Sequence, residues 1–197
     1  RESIVALATK KDVAGARKHF GLKPDQLTLL VTGGSLGARS LNQTIESSRA
    51  LLSAAGIQVL HIIGGASELE EVSEPEFRRV RYVDQMELAI AASDFAVSRA
   101  GAATVSEFSA IGLPALYVPY PVGNGEQKFN LQDVLAAGGA VTVSDSEFTP
   151  DYVRATLIPM LSDTKRLAEM SESAKQAGVL DGTERFIALI DEVLSRR

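Results

Sequence analysis

The stretch VTGGSLGARSLNQT, residues 31–44, sets Gly33, Gly34 and Gly37, with Thr32 and Ser35, between an apolar run and a segment with helical spacing. A strand that turns through glycines into a helix gathers backbone N–H groups and the positive helix end at one point, which suits a phosphate. Two common nucleotide loops do not fit. A P-loop requires Lys after its last glycine, and Ala38 follows Gly37. A dinucleotide loop requires Gly where Thr32 stands, and the strand candidate QVLHIIGG ends without an acidic residue to hold a ribose. Nicotinamide and flavin cofactors are therefore not expected. Taken by itself, the loop is equally a tight βα turn that holds no ligand.

A second stretch, SRAGAATVSEFSAIGLPALYVPYP (residues 98–121), repeats the arrangement. A strand ends at Ser98, small residues form a turn, and a helix runs from about Thr104 to Ile111 before Gly112 stops it. Gly101 and the neighbouring amides offer a second helix N-terminus to an anion, with Ser98 and Thr104 as hydroxyl donors. Glu107, one turn into this helix, either complements the helix dipole or accepts hydrogen bonds from two vicinal hydroxyls such as those of a ribose. A third stretch, PYPVGNGEQKFN (residues 119–130), carries Asn124, Glu126, Gln127 and Asn130, enough polar groups to read sugar hydroxyls or to make a polar surface loop. The two histidines, His19 near a helix end and His61 inside an apolar strand, read as structural.

The elements that must position these loops alternate along the chain. Apolar runs at Leu27–Thr32, Gln58–Ile63, Val80–Val83, Phe95–Ser98, Ala115–Val118 and Ala140–Val143 read as strands, and their continuous character predicts burial on both faces of a parallel sheet. Helices are predicted at about 38–55, 86–92, 103–111 and 126–137, with two or three more between 150 and 197. Thr9 and Asp12 fit a capping box for a helix that ends near Gly21. The expectation is an α/β, Rossmann-like doubly wound parallel sheet of about six strands, with ligands at the strands' C-terminal ends. The acidic stretch SELEEVSEPE reads as solvated surface.

At 197 residues and 45% hydrophobic, the chain can bury a core of its own. A net charge of −5 argues against general nucleic-acid binding, and the absence of cysteine accords with a reducing compartment. No apolar run reaches the roughly 18 residues needed to span a bilayer, and the start resembles no signal peptide, so the expected chain is soluble. It begins at Arg1, as a piece cut from a longer protein would.

GGSLGARSLN, YVDQM, SRAGAATVSEFSAIGLPALYVPYP and GNGEQKFN together resemble the donor-binding C-terminal half of the MurG-type UDP-N-acetylglucosamine transferases of glycosyltransferase family 28. The resemblance covers the whole chain. It implies one half of a GT-B glycosyltransferase that inverts the anomeric centre, needs no metal and uses no cofactor beyond its substrate UDP-N-acetylglucosamine (UDP-GlcNAc). Carried over by motif, Gly34, Ser35, Leu36 and Gly37 hold the donor diphosphate, and Val83 grips uracil through backbone atoms. Gly101, Ala102, Ala103 and Thr104 form the second diphosphate contact. Glu107 holds the ribose hydroxyls, Gln127 with Glu126 lies at the GlcNAc hydroxyls, and Arg1 reaches the diphosphate. Many members carry a second glutamine where Glu126 stands, and some carry glutamine in place of Leu36.

The resemblance further implies that residues 1–197 are a single donor domain, with helices over 150–197. Lipid I, the general base and membrane association belong to an N-terminal acceptor domain outside this chain. The whole protein would work on the cytoplasmic face of the bacterial membrane, turning lipid I into lipid II, and this chain alone would bind donor without transferring it. Two other readings stay open. One is the donor domain of a different UDP-sugar transferase of the glycolipid-synthase type, and the other is a non-catalytic subunit that needs a separate acceptor partner.

Overall fold

The computed structural model describes residues 2–122 and 125–195. Seven strands form one sheet: β1 (Thr28–Thr32), β2 (Gln58–Ile62), β3 (Val72–Glu74), β4 (Phe77–Val80), β5 (Phe95–Ser98), β6 (Ala115–Tyr117) and β7 (Ala140–Thr142). Their order is β3-β4-β2-β1-β5-β6-β7, and every neighbouring pair is parallel except β3–β4. Chain order reverses at β1, which lies between β2 and β5. β1, β2, β5 and β6 are buried at every position, which is why their apolar residues run consecutively rather than alternating.

Helices α1 (Glu2–Thr9), α2 (Val13–Phe20), α5 (Met86–Ala92) and α6 (Ala102–Ile111) cover one face, where Ile4, Phe20, Ile90 and Phe108 pack with Leu30, Leu60 and Ala96. The other face is covered by α3 (Arg39–Ser47), α4 (Arg49–Ala54) and a later rod built from α9 (Pro150–Tyr152), a π-helical turn (Val153–Leu157) and α10 (Ile158–Ser162). There Leu41, Ile45, Val153 and Leu157 pack on Leu29, Val31 and Val97. α7 (Glu126–Phe129) and α8 (Gln132–Ala136) lead into β7, while α11 (Thr164–Ala177) and α12 (Gly182–Ser195) close the described chain. Pro159 accounts for the π turn, because its ring clashes with the carbonyl one turn earlier and the helix widens to admit it.

Several sequence expectations need correction. The strand expected at Val80–Val83 is β4, three residues earlier, and Val83 lies in the turn before α5. Arg78 and Arg79 disguise that strand, yet Arg79 is buried with its guanidinium paired to Glu46. Part of the acidic stretch forms β3, a short antiparallel edge. The helix expected over 38–55 breaks at Ser48, whose buried hydroxyl donates to the Thr44 carbonyl (2.7 Å), a bond that bends helices. The helix expected over 126–137 breaks at residues 130 and 131. Asp12 alone caps α2, accepting from the Gly15 N–H (2.9 Å), and Thr9 instead turns its hydroxyl back to the Val5 carbonyl. Gly21 ends α2 in the left-handed conformation, as expected.

Candidate functional site

Because Thr32 of β1 registers with Ser98 of β5, the loops that leave these strands lie side by side, and α3 and α6 start at the same edge of the sheet. Neither start carries a side-chain cap: the flanking residues are Ala38 and Gly101. The first-turn amides of both helices are thus available to a ligand, and the two helix dipoles point their positive ends at it. A cleft of about 770 Å³ opens there, lined by the Gly33–Ser40 segment, Ser98, Gly101, Thr104 and Gln127. Beside it a pocket of about 200 Å³ is lined by Val83 and Asp84 from the β4–α5 turn, by Met86 at the start of α5 and by Ala103 and Glu107 of α6. Gly34, Ser35 and Thr104 line both, so the two spaces share a wall.

Glycine is required at the bend. Gly34 and Gly37 both have φ of 87°, where an L side chain is strained, and the Gly37 N–H donates to the Gly34 carbonyl (3.0 Å). A Cβ on Gly37 would lie 2.1 Å from the Ile63 carbonyl oxygen, so the loop after β1 packs backbone to backbone on the loop after β2. The Gly65 N–H donates to the Ser35 carbonyl (2.9 Å) across the same seam.

The third loop grips the second. Gln127 Oε1 accepts from the backbone N–H of Ala100 (3.1 Å) and of Tyr120 (2.9 Å), and Asn130 Nδ2 donates to the Ala100 carbonyl (2.9 Å). The peptide just before α6 is therefore held from both sides. Gln127 has spent its acceptor on the protein, so its contact with a ligand must come from Nε2 as a donor.

Arg99 ties the remaining pieces together. Its guanidinium pairs with Asp145 (2.6 Å), donates to the Val118 and Pro119 carbonyls (3.0 and 3.2 Å) and to Ser40 Oγ (3.0 Å), and lies over the Tyr120 ring. Ser40 Oγ donates in turn to Asp145 (2.7 Å). The start of α3, the exit of β6 and the loop after β7 thus meet on one cation.

Of the residues singled out from the sequence, Gly34, Ser35, Leu36, Gly37, Val83, Gly101, Ala103, Thr104, Glu107 and Gln127 line these two adjacent spaces. Ala102 is the exposed first residue of α6, and Glu126, the first residue of α7, lines neither space. Arg1 and Asn124 lie outside the described residues. Sequence reading missed Arg99, Ser40 and Asp145. Arg99 stood inside a quoted motif, but its partners are scattered from residue 40 to residue 145. Neither histidine lines the two spaces: His19 meets Phe20 in a T-shaped ring contact, and His61 is fully buried, with its pKa pushed down to about 3 by burial.

Comparison with known proteins places this geometry. Residues 28–186 match the glycosyltransferase family 28 C-terminal domain. A UDP-N-acetylglucosamine–N-acetylmuramyl-(pentapeptide) pyrophosphoryl-undecaprenol N-acetylglucosamine transferase of Leifsonia xyli subsp. xyli is 55% identical over 180 residues, covering 91% of this chain and 50% of that protein. The transferase of the same name from Clavibacter sepedonicus is 47% identical over 206 residues, covering all of this chain and 56% of that protein. The crystal structure of Acinetobacter baumannii MurG superposes with a TM-score of 0.74 at 23% identity, covering 94% of this chain and 55% of that one. A calicheamicin glycosyltransferase shares the fold at a TM-score of 0.64 and 18% identity, covering 88% of this chain and 45% of that one. The chain spans about half the length of the curated relatives it matches. Two uncapped helix starts at the reversal of a parallel sheet, and a family match that runs across both, lead to one conclusion: the chain belongs to glycosyltransferase family 28, as its C-terminal domain.

Proposed function

We propose that this chain is the donor half of an inverting glycosyltransferase that moves N-acetylglucosamine from UDP-GlcNAc to lipid I, forming lipid II for peptidoglycan. The observation that carries the reading is the adjacency of the two spaces: a cleft between two uncapped helix starts shares Ser35 and Thr104 with a pocket that has a carboxylate, Glu107, on its wall. A nucleoside diphosphate has the same order of parts. In this reading the diphosphate lies on the amides of the α3 and α6 starts, uracil meets the backbone at Val83, and Glu107 accepts both ribose hydroxyls. The sugar reaches Gln127 Nε2.

When an acceptor hydroxyl attacks the anomeric carbon, the glycosidic C–O bond to phosphate breaks and negative charge grows on the departing UDP. Fixed amide dipoles at two helix ends stabilise that charge more strongly in the transition state than in the substrate. The acceptor's proton must pass to a base within hydrogen-bond reach. No group of this chain is assigned that part, which falls to the acceptor half together with lipid I binding and attachment to the cytoplasmic face of the membrane. Among the described residues no helix is long and apolar enough to cross a membrane.

Glu107 provides the test. Glu107→Gln should weaken UDP by about ten- to a hundredfold, the roughly 1.5–3 kcal/mol of a hydrogen bond to a charged group. Removing a helix-dipole partner also costs about 0.3–1 kcal/mol of stability, so calorimetry with UDP and 2′-deoxy-UDP must accompany thermal melts. The wild type should discriminate strongly between the two ligands and the variant much less. Equal discrimination in both would remove Glu107 from the diol.

A further inference from the structure

Beneath the glycine loop lies a chain of buried polar contacts that the donor reading does not use. Asn42, in the second turn of α3, is 3% exposed, and its Nδ2 donates to the Ile63 carbonyl (2.9 Å) and to Ser67 Oγ (3.3 Å). Its amide oxygen therefore faces His61, whose Nε2 lies 3.0 Å away. An oxygen can only accept, so His61 carries its proton on Nε2, and Nδ1 is left without a partner among the described residues. A ring nitrogen buried without a protein partner is costly to retain, and a leucine would fill a similar volume without that cost. What His61 supplies is a donor that orients Asn42, and Asn42 fixes the Ile63 carbonyl. That carbonyl is the atom on which Gly37 rests: a Cβ on Gly37 would come within 2.1 Å of it, and a Cβ on Gly64 would lie 2.1 Å from the Gly37 nitrogen. The seam continues through the Gly65 N–H to the Ser35 carbonyl (2.9 Å). Any shift of Ile63 thus moves the loop whose residues 34–37 line the cleft.

We infer that His61, acting through Asn42 and the Ile63 carbonyl, is a positioning residue that sets the glycine loop against the donor diphosphate. This rests on the donor reading above for the identity of the ligand, but not for the coupling between His61 and the loop. Glutamine places its Nε2 close to where histidine has its own, so it can keep the donor, whereas leucine keeps the volume and loses it.

The experiment compares the wild type with His61→Leu, His61→Gln and Asn42→Ala by amide hydrogen exchange without ligand and by calorimetry with UDP. His61→Leu should speed exchange at Gly65 and Gly37 relative to β5 and β6 amides, and weaken UDP about two- to tenfold, the range of one lost hydrogen bond. His61→Gln should restore both, and Asn42→Ala, which serves if His61→Leu fails to fold, should reproduce the loss. A merely structural histidine would lower the melting temperature and speed exchange everywhere while leaving UDP affinity among folded molecules unchanged, and that result overturns the inference. Exchange at Gly65 and Gly37 that does not respond to any variant also overturns it. Failure of the wild type to bind UDP overturns the donor reading, and the exchange data then still decide whether His61 sets the loop.

Discussion

Under the donor reading, the two ends of the Gln127 amide have separate tasks. Oε1 bridges the Ala100 and Tyr120 amides, and only Nε2 can address a sugar. Truncation is therefore a poor probe of sugar recognition, because Gln127→Ala leaves two backbone donors without their acceptor and loosens the start of α6. We expect it to weaken UDP and UDP-GlcNAc alike. Gln127→Glu keeps an acceptor oxygen for both amides and removes the donor. It should lower the affinity for UDP-GlcNAc relative to UDP by about two- to tenfold, the scale of one hydrogen bond. Parallel calorimetric titrations of the two ligands check this, and an unchanged ratio would place the sugar elsewhere. Glu107 and the loop glycines were legible as candidates at this scale, since a carboxylate one turn into a helix and glycines at a strand end suit a nucleotide, although a dipole partner and a bare turn read as well. Arg99 was not. Its role exists only once residues 40, 118, 119 and 145 have been brought to it.

The strands divide by how much of their sequence is spent on burial. β1, β2 and β5 read plainly because both faces are covered, whereas β4 carries two arginines and hides its apolar partners among them. Helix breaks at Ser48 and near Asn130 were invisible because hydrogen bonds, not weak helix propensity, make them: Ser48 returns to Thr44, and Asn130 reaches across to Ala100. β2 also places a titratable ring in its interior. Burial lowers the His61 pKa from 6.5 to about 3, so as pH falls the unfolded chain takes up the proton first and the folded state loses ground. Its contribution is intact above about pH 6.5 and is lost progressively down to about pH 3. Between pH 7 and pH 5 this one site should cost about 2 kcal/mol. Urea titrations at the two pH values should show a difference smaller by about that amount in His61→Gln than in the wild type, and equal differences would mean that the ring is hydrated or paired.

At the scale of the whole chain, the sheet and its two covered faces account for the buried core, and α12 stands apart from it. None of its residues is buried, although Phe186, Leu189, Val193 and Leu194 make it strongly amphipathic, with Phe186 63% exposed. Its helical character was legible from spacing, but spacing cannot say what an apolar stripe faces. A chain ending at Leu180 should melt within about 2 °C of the full one, because it gives up no buried side chain among the described residues. Differential scanning calorimetry checks this, and a drop of more than about 5 °C would show that α12 contributes to the folded core. The reversal of strand order at β1 reaches further than the site's shape. β1 can pair with β2 soon after both exist, but its other neighbour begins at Phe95, and everything from β2 to α5 must be made and set aside before that edge closes. The two helix starts thus become neighbours only through the most distant strand pairing at the centre of the sheet, a step slow by its loop length. A nucleotide that needs both starts has nothing to hold until then, so it cannot hasten folding. Under the donor reading it would act afterwards, as a clasp on the finished sheet that slows the reopening of β1 from β5.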